Sequence, residues 1–296
     1  MDNQAGKRAV GAALALLLLA SPAAGASASP SASRAEVSKQ LVGTTLVRGQ
    51  IDIEADGSVS NLELEAEEKL EPGVVPFVRQ TAEKWRFEPV TVDGKDVAVR
   101  SSVSVRLIAS QGGQEQVRIH VSGVDFGNID DEGNAWVQKV SMKAPAYPNT
   151  ASTMGGAGTV YVVIRIGRDG KVEDAMAEQV NLRAVGTEKQ MQEVRDSLSS
   201  SALAAARRWT FRPPTEGPHV DAPFWTVRVP VSFLLNRQKE EDSPGLWVAY
   251  VPGPRYSAPW LADDDAPGFS PDTLAEGGIY MADRQGPRLL TPLGGE

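Results

Sequence analysis

One short block occurs twice in the chain, and it limits the fold more than any other feature. Trp85-Arg86-Phe87-Glu88-Pro89 recurs as Trp209-Thr210-Phe211-Arg212-Pro213, an offset of 209 − 85 = 124. The flanks repeat in the same order. Upstream, Val47, Gly49, Ile51, Ile53 and Asp56-Gly57 match Val160, Val162, Ile164, Ile166 and Asp169-Gly170, at 169 − 56 = 113. Downstream, Val99, Ser101, Val103, Val105 and Leu107 match Val227, Val229, Val231, Phe233 and Leu235, at 235 − 107 = 128. Three blocks in one order imply a single supersecondary unit used twice.

The periods within the unit give its elements. Val160, Val162, Ile164 and Ile166 alternate with Tyr161, Val163 and Arg165, the period-two pattern of a strand with at least one buried face. Asp169-Gly170 tolerates positive φ, so the chain reverses there into a second strand from about Val172. Met191, Val194, Leu198, Ala202, Ala205 and Trp209 then recur at helical steps, and Pro213-Pro214 stops that helix. After Glu216-Gly217-Pro218, Val227, Val229, Val231, Phe233 and Leu235 face one way and Thr226, Arg228, Pro230 and Ser232 the other. Each unit therefore reads strand, strand, helix, strand. The expected fold class is α+β: two small two-layer units, each a short antiparallel sheet covered by a helix, with Trp85 and Trp209 in the interface.

The remaining segments read as follows. Lys7 and Arg8 precede an apolar run from Ala9 to Ala20, and Ala24-Gly25-Ala26 has the small-x-small pattern of a cleavage site. Residues 1–26 are expected to be a secretory signal peptide, cleaved after Ala26 to leave a soluble periplasmic protein. The alternative is an uncleaved single-pass anchor in the inner membrane, since Ala9 to Ala28 is about long enough to span a bilayer. Sequencing the mature N-terminus decides: Ala26 removed supports export, and Met1 or Asp2 retained on a membrane-bound protein supports the anchor. Residues 27–43 read as a linker, 44–108 as the first unit, 109–140 as a connector and 141–237 as the second unit. Residues 238–296 form a Pro/Gly-rich tail expected to be flexible, because Pro244, Pro252, Pro254, Pro259, Pro267, Pro271, Pro287 and Pro292 oppose long helices and central strands. Trp247, Tyr250, Tyr256 and Trp260 in that tail either dock onto a folded unit or form a recognition segment.

Composition removes several chemistries. Thirty Lys+Arg against 38 Asp+Glu give a formal charge of −8, a poor match for nucleic acid, which needs a basic face. The absence of cysteine excludes disulfides, Cys-ligated zinc and thiol catalysis, and two histidines, His120 and His219, leave little for metal or triad chemistry. Gly155-Gly156-Ala157-Gly158 precedes a strand, whereas a phosphate loop opens a helix. Asn128, Asp130, Asp131 and Glu132 lack the EF-hand spacing and read as a solvated acidic loop, and Asp263-Asp264-Asp265 reads as a solvated charge run. No catalytic residue, cofactor or metal is expected, and the chain is read as a non-enzyme.

Several residues together resemble a known family. Ala146-Tyr147-Pro148-Asn149-Thr150-Ala151, a Gly-led strand and Arg168-Asp169-Gly170 come first. An Ala-rich helix leading to Arg208-Trp209-Thr210-Phe211-Arg212-Pro213 follows, and then Val229-Pro230-Val231-Ser232-Phe233. In this order they are similar to the C-terminal domain of TonB-family energy transducers, over about Met142 to Asn236. The first unit is similar to a degenerate copy that lacks the Tyr-Pro element. The resemblance implies a module that binds a short peptide, the TonB box of an outer-membrane transporter, by adding it to the edge strand of the sheet, here Trp225 to Leu235. Known transducers also carry an uncleaved N-terminal helix with a functional His and a long Pro-rich spacer. Ala9 to Ala28 holds no His, and Ser27 to Thr44 reaches only about 60 Å when extended.

The expected function is therefore that of a periplasmic TonB-like binding protein. It would engage an outer-membrane transporter peptide or another envelope protein by β-strand addition, with membrane contact only if the N-terminal run is retained. The alternative is a membrane-anchored TonB-type energy transducer. Pro230 selects the edge, because a residue without N–H is tolerated where that donor faces away from a ladder partner. Arg228, Ser232 and Leu234 share its phase and are expected to offer main-chain groups to the partner. Tyr147 and Pro148, from the Tyr-Pro element of the resemblance, complete the candidate partner-binding residues.

Overall fold

The Asp-Gly turns and the Trp-x-Phe blocks meet in space, and the same contact forms at both occurrences of the repeated block. Phe87 N–H donates to the Gly57 carbonyl and Phe211 N–H to the Gly170 carbonyl, each at 2.8 Å. Gly57 and Gly170 have φ of 80° and 75°, and a Cβ on either would fall 2.0 and 2.1 Å from the carbonyl oxygen of Phe87 and Phe211. Only glycine meets both demands. Hydrogen bonds from the Ser58 hydroxyl and N–H hold the Asp56 carboxyl below the usual carboxylate range, and the Lys171 ammonium and N–H do the same for Asp169.

The computed structural model describes residues 32–111, 117–127, 134–235, 238, 243–261, 265–283 and 286–293. Residues 1–26, expected to be a signal peptide, the acidic residues Asn128 to Glu132, and Asp263 and Asp264 lie outside them. In chain order the elements are α1 (Arg34–Ser38), β1 (Val42–Ile53), β2 (Val59–Leu64), α2 (Val74–Ala82), β3 (Val90–Val92), β4 (Lys95–Val97) and β5 (Val99–Gln111). Next come β6 (Val117–Phe126), β7 (Gln138–Ser141), α3 (Asn149–Thr153), β8 (Gly158–Ile166), β9 (Val172–Leu182), α4 (Glu188–Ala206), β10 (Thr210–Arg212) and β11 (Trp225–Phe233). The tail adds β12 (Val248–Tyr250) and β13 (Tyr280–Met281). The fold is mixed α+β, and all strand pairings among the described residues are antiparallel.

One sheet has the order β12-β1-β5-β6, with β2 also on β1; another has the order β13-β11-β8-β9. Trp85, Phe87, Val47, Ile51, Val103 and Leu107 bury against α2 in one apolar cluster. Trp209, Phe211, Val162, Ile164, Val229 and Phe233 bury against α4 in the other. Trp85 meets Phe126 of β6 edge-on at 5.7 Å, and Trp209 Nε1 donates to the Lys143 carbonyl at 2.9 Å. Thr187 and Gln190 form a capping box that starts α4. The helix ends at Ala206, so Trp209 lies beyond the last turn rather than on the helix face its spacing suggested.

Strand pairing also revises the alignment of the third strands. Ile53 pairs with Val99 and Ile166 with Trp225, so the two strands correspond at 225 − 99 = 126, two residues short of the offset read from sequence. Because the shift is even, the same faces stay buried. The sequence offset of 128 sets Ser102 against Pro230, whereas the register sets Ser104 there, since 230 − 104 = 126.

Three segments differ from expectation. The linker holds α1, whose Val37 joins the α4 cluster, and the Ala32 N–H donates to Glu188 at 2.8 Å. Much of the connector is β6, which pairs with β5 from Val103 to Gln111. The described part of the tail is docked, not flexible. β12 pairs with the start of β1, Val251 exchanges backbone bonds with Leu182 of β9 at 2.8 and 3.0 Å, and Leu290 N–H reaches the Arg86 carbonyl at 2.7 Å. Its prolines exclude long elements, as read, but they do not prevent an extended chain from laying buried residues such as Tyr250 and Leu289 onto the sheets.

Candidate functional site

The edge of β11 can be described atom by atom. β13 pairs with β11 at Val227 and Arg228, and Ala282 N–H donates to the Thr226 carbonyl at 2.8 Å. Main-chain groups alternate sides along a strand. Thr226, Arg228, Pro230 and Ser232 therefore direct theirs to this edge, while Val227, Val229, Val231 and Phe233 direct theirs to β8. Pro230 stands in register with Tyr161 of β8, so its missing donor is on the outer side. The β13 ladder stops two residues before it. Beyond Arg228, no strand among the described residues pairs with this edge.

The six expected partner-binding residues divide into two groups. Ser232 lies at the free end of β11, where its hydroxyl bonds the Glu276 carboxylate and lies 3.0 Å from the Thr159 hydroxyl. Leu234, half-buried, follows directly after the strand. Tyr147 reaches the same end: its ring packs edge-on against Phe233 at 5.6 Å, and its hydroxyl donates to the Gly156 carbonyl at 2.7 Å. Burial raises the pKa of that phenol. Pro148 stands at the N-terminus of α3 and accepts the Ser152 N–H at 3.0 Å. The structure thus brings Ser232, Leu234 and Tyr147 to one end of the sheet, with Pro148 next to Tyr147 in sequence and Pro230 two residues before Ser232 on the same edge.

Arg228 is the exception. Its main chain is not open, since Tyr280 pairs with it, and its side chain is 4% exposed. Arg228 Nε lies 2.8 Å from Glu178 Oε2, Nη2 lies 2.7 Å from Asp265 Oδ1, and the guanidinium stacks on Phe269 at 4.6 Å. Arg255 joins the cluster, 2.6 Å from Glu178 and 2.5 Å from Asp265. Asp265, read from sequence as part of a solvated run, is an ion-pair partner of a buried arginine. A cleft of about 810 Å³ opens beside this cluster, lined in part by Phe224, Thr226, Arg228, Asp265, Met281 and Arg288.

A Cβ at Gly156 would meet Val194 of α4 at 2.4 Å, so this glycine admits the helix. His120 is exposed on β6. His219 Nδ1 lies 3.3 Å from Asp283 Oδ2, a pairing across distant segments that no sequence spacing announces, and its ring lies 5.7 Å from that of Trp136. Among the described residues there is no group of three metal-ligating side chains, and no helix long and apolar enough to cross a membrane. Comparison of the chain with families of known proteins, with individually curated proteins and with solved structures returns no match.

Proposed function

We propose that the chain is an exported, periplasmic binding protein made of two TonB-like units, and that the second unit takes up an extended peptide of an outer-membrane transporter or another envelope partner along β11 from Val229 to Leu234. One observation carries the reading. In the first copy the corresponding edge already holds an added strand, since β6 pairs with β5 from Val103 onward. Val103 corresponds to Val229, since 229 − 103 = 126, and from Val229 onward β11 has no such strand among the described residues. The two edges share their construction, and beyond Arg228 one of them holds no added strand among the described residues. Strand addition draws affinity from main-chain bonds and selectivity from neighbouring side chains, here Ser232 on one face and Tyr147 against Phe233 on the other. Pro230 limits uncontrolled self-pairing of the same edge. The anchored-transducer alternative uses the same site and differs in whether the N-terminal run is retained.

The test is a titration of a TonB-box-like peptide into isotopically labelled full chain, followed by amide shifts. Perturbations concentrated at Ser232, Phe233 and Leu234 are expected, with Val162 and Ile164 on the inner strand little changed. Shifts centred elsewhere, with the end of β11 silent, reject strand addition at this edge.

A further inference from the structure

We infer that β13 is a tethered latch on the peptide edge: a short strand of the chain's own tail that occupies the entrance to β11 and is displaced when a longer strand binds. This rests on the strand-addition reading above. β13 covers Val227 and Arg228, the two positions directly before the stretch that β6 fills in the first copy. A peptide bound from Val229 to Leu234 and running on toward Trp225 meets Tyr280 and Met281 in its path. Two strands cannot share one row of donors and acceptors, so extension requires β13 to leave.

The construction of the latch suits release. Its pairing with β11 is limited to two residue pairs and the adjoining Ala282 N–H bond to Thr226, against the continuous ladder of β8 on the opposite side. Gly277-Gly278 precedes it, with Gly277 at φ 72°, and two consecutive glycines give the backbone there the widest conformational freedom of any residue pair. Upstream of those glycines the tail is fixed. The buried Arg106 guanidinium donates to the Asp272 carbonyl, Nε at 2.7 Å, and the Asp272 carboxylate accepts the Tyr250 hydroxyl and, at 2.5 Å, the Ser270 hydroxyl. A released β13 therefore stays close to its edge, and its effective concentration there remains high. Met281 gives the closed state its apolar hold, 4% exposed within the α4 cluster.

The chain contains no cysteine, so a disulfide can lock the latch without interference. Val227 and Met281 stand opposite each other in the register. In full-length Val227→Cys/Met281→Cys, the oxidised protein is expected to bind a synthetic TonB-box-like peptide at least about tenfold more weakly than the reduced protein. Both forms carry the same substitutions, which separates the effect of locking from that of the mutations. Equal affinity overturns the latch and leaves strand addition standing. Absence of binding by the wild type and by both forms overturns strand addition, and the latch with it. Should the double variant not fold, wild-type amide exchange decides: Ala282, bonded to Thr226, is expected to exchange at least about a hundredfold faster than Val229, which faces β8. Equal protection at the two amides overturns the latch.

Discussion

Trp209→Ala is expected to destabilise the protein by about 3–5 kcal/mol, and Trp85→Ala by a similar amount. Each indole is almost fully enclosed, 4% and 2% exposed, and each sits where the end of a helix meets a sheet. Truncation leaves a cavity that neither site can readily close. Phe211 and Phe87, two residues on, are tied by backbone bonds to the glycine turns and cannot follow the missing ring inward. Trp209 loses one thing more, the bond from Nε1 to the Lys143 carbonyl, which leaves a partly buried acceptor without its donor. Against a total stability of about 5–15 kcal/mol, either loss is a large fraction, and the denaturant midpoint is expected to fall clearly for both variants. If Trp209→Ala unfolds with the wild-type midpoint while peptide binding disappears, the ring is a binding platform and its packing role is wrong.

The sequence made some of this legible and concealed the rest for physical reasons. β8 is legible from its β-branched residues although both of its faces are buried, the helical steps of α4 survive because that helix buries one continuous face, and the Asp-Gly turns are readable because the tight contact with Phe87 and Phe211 excludes other residues. Pro230 announced the phase of the β11 edge, because a missing donor has only one tolerable side. The occupant of that edge was not readable. Tyr280 and Met281 form a two-residue strand, too short for any period, and it is set by docking onto β11 rather than by local propensity. The course of the tail is hidden for a related cause. Its aromatic residues and prolines gave opposing indications, and what settles its course is long-range pairing such as Asp272 with Arg106, separated by 166 residues.

The position of Glu178 is hidden in the sequence for a further reason, and this residue carries the second large expected effect. Along β9, Ala175 and Ala177 face the α4 cluster, and so do Val180 and Leu182; strict alternation cannot place both odd and even positions on one face. The register shift between Tyr161 and Val162 resolves this by leaving Glu178 as the extra residue of a bulge, which turns its carboxylate to the opposite side of the sheet. There it is 1% exposed and accepts bonds from Arg228 and Arg255. Replacing Glu178 alone by Met leaves the Arg228 guanidinium buried with Asp265 as its remaining carboxylate among the described residues, and removal of one member of a buried pair typically costs about 3–5 kcal/mol. Replacing Arg228 alone by Met strands the carboxylate in the same way, although Arg255, 36% exposed at its side chain, keeps part of the compensation, so the loss is expected to be smaller. The double variant Glu178→Met/Arg228→Met removes both fully buried charges and leaves Arg255 with Asp265, which already lie 2.5 Å apart. It is expected to recover most of the stability lost in Glu178→Met, because two unbranched apolar chains fill the site without an unpaired charge. Denaturant unfolding of the three variants measures this as a coupling energy. Strictly additive losses show that the cluster does not act as a unit, whereas recovery shows that Arg228 and Glu178 are held in the interior by each other.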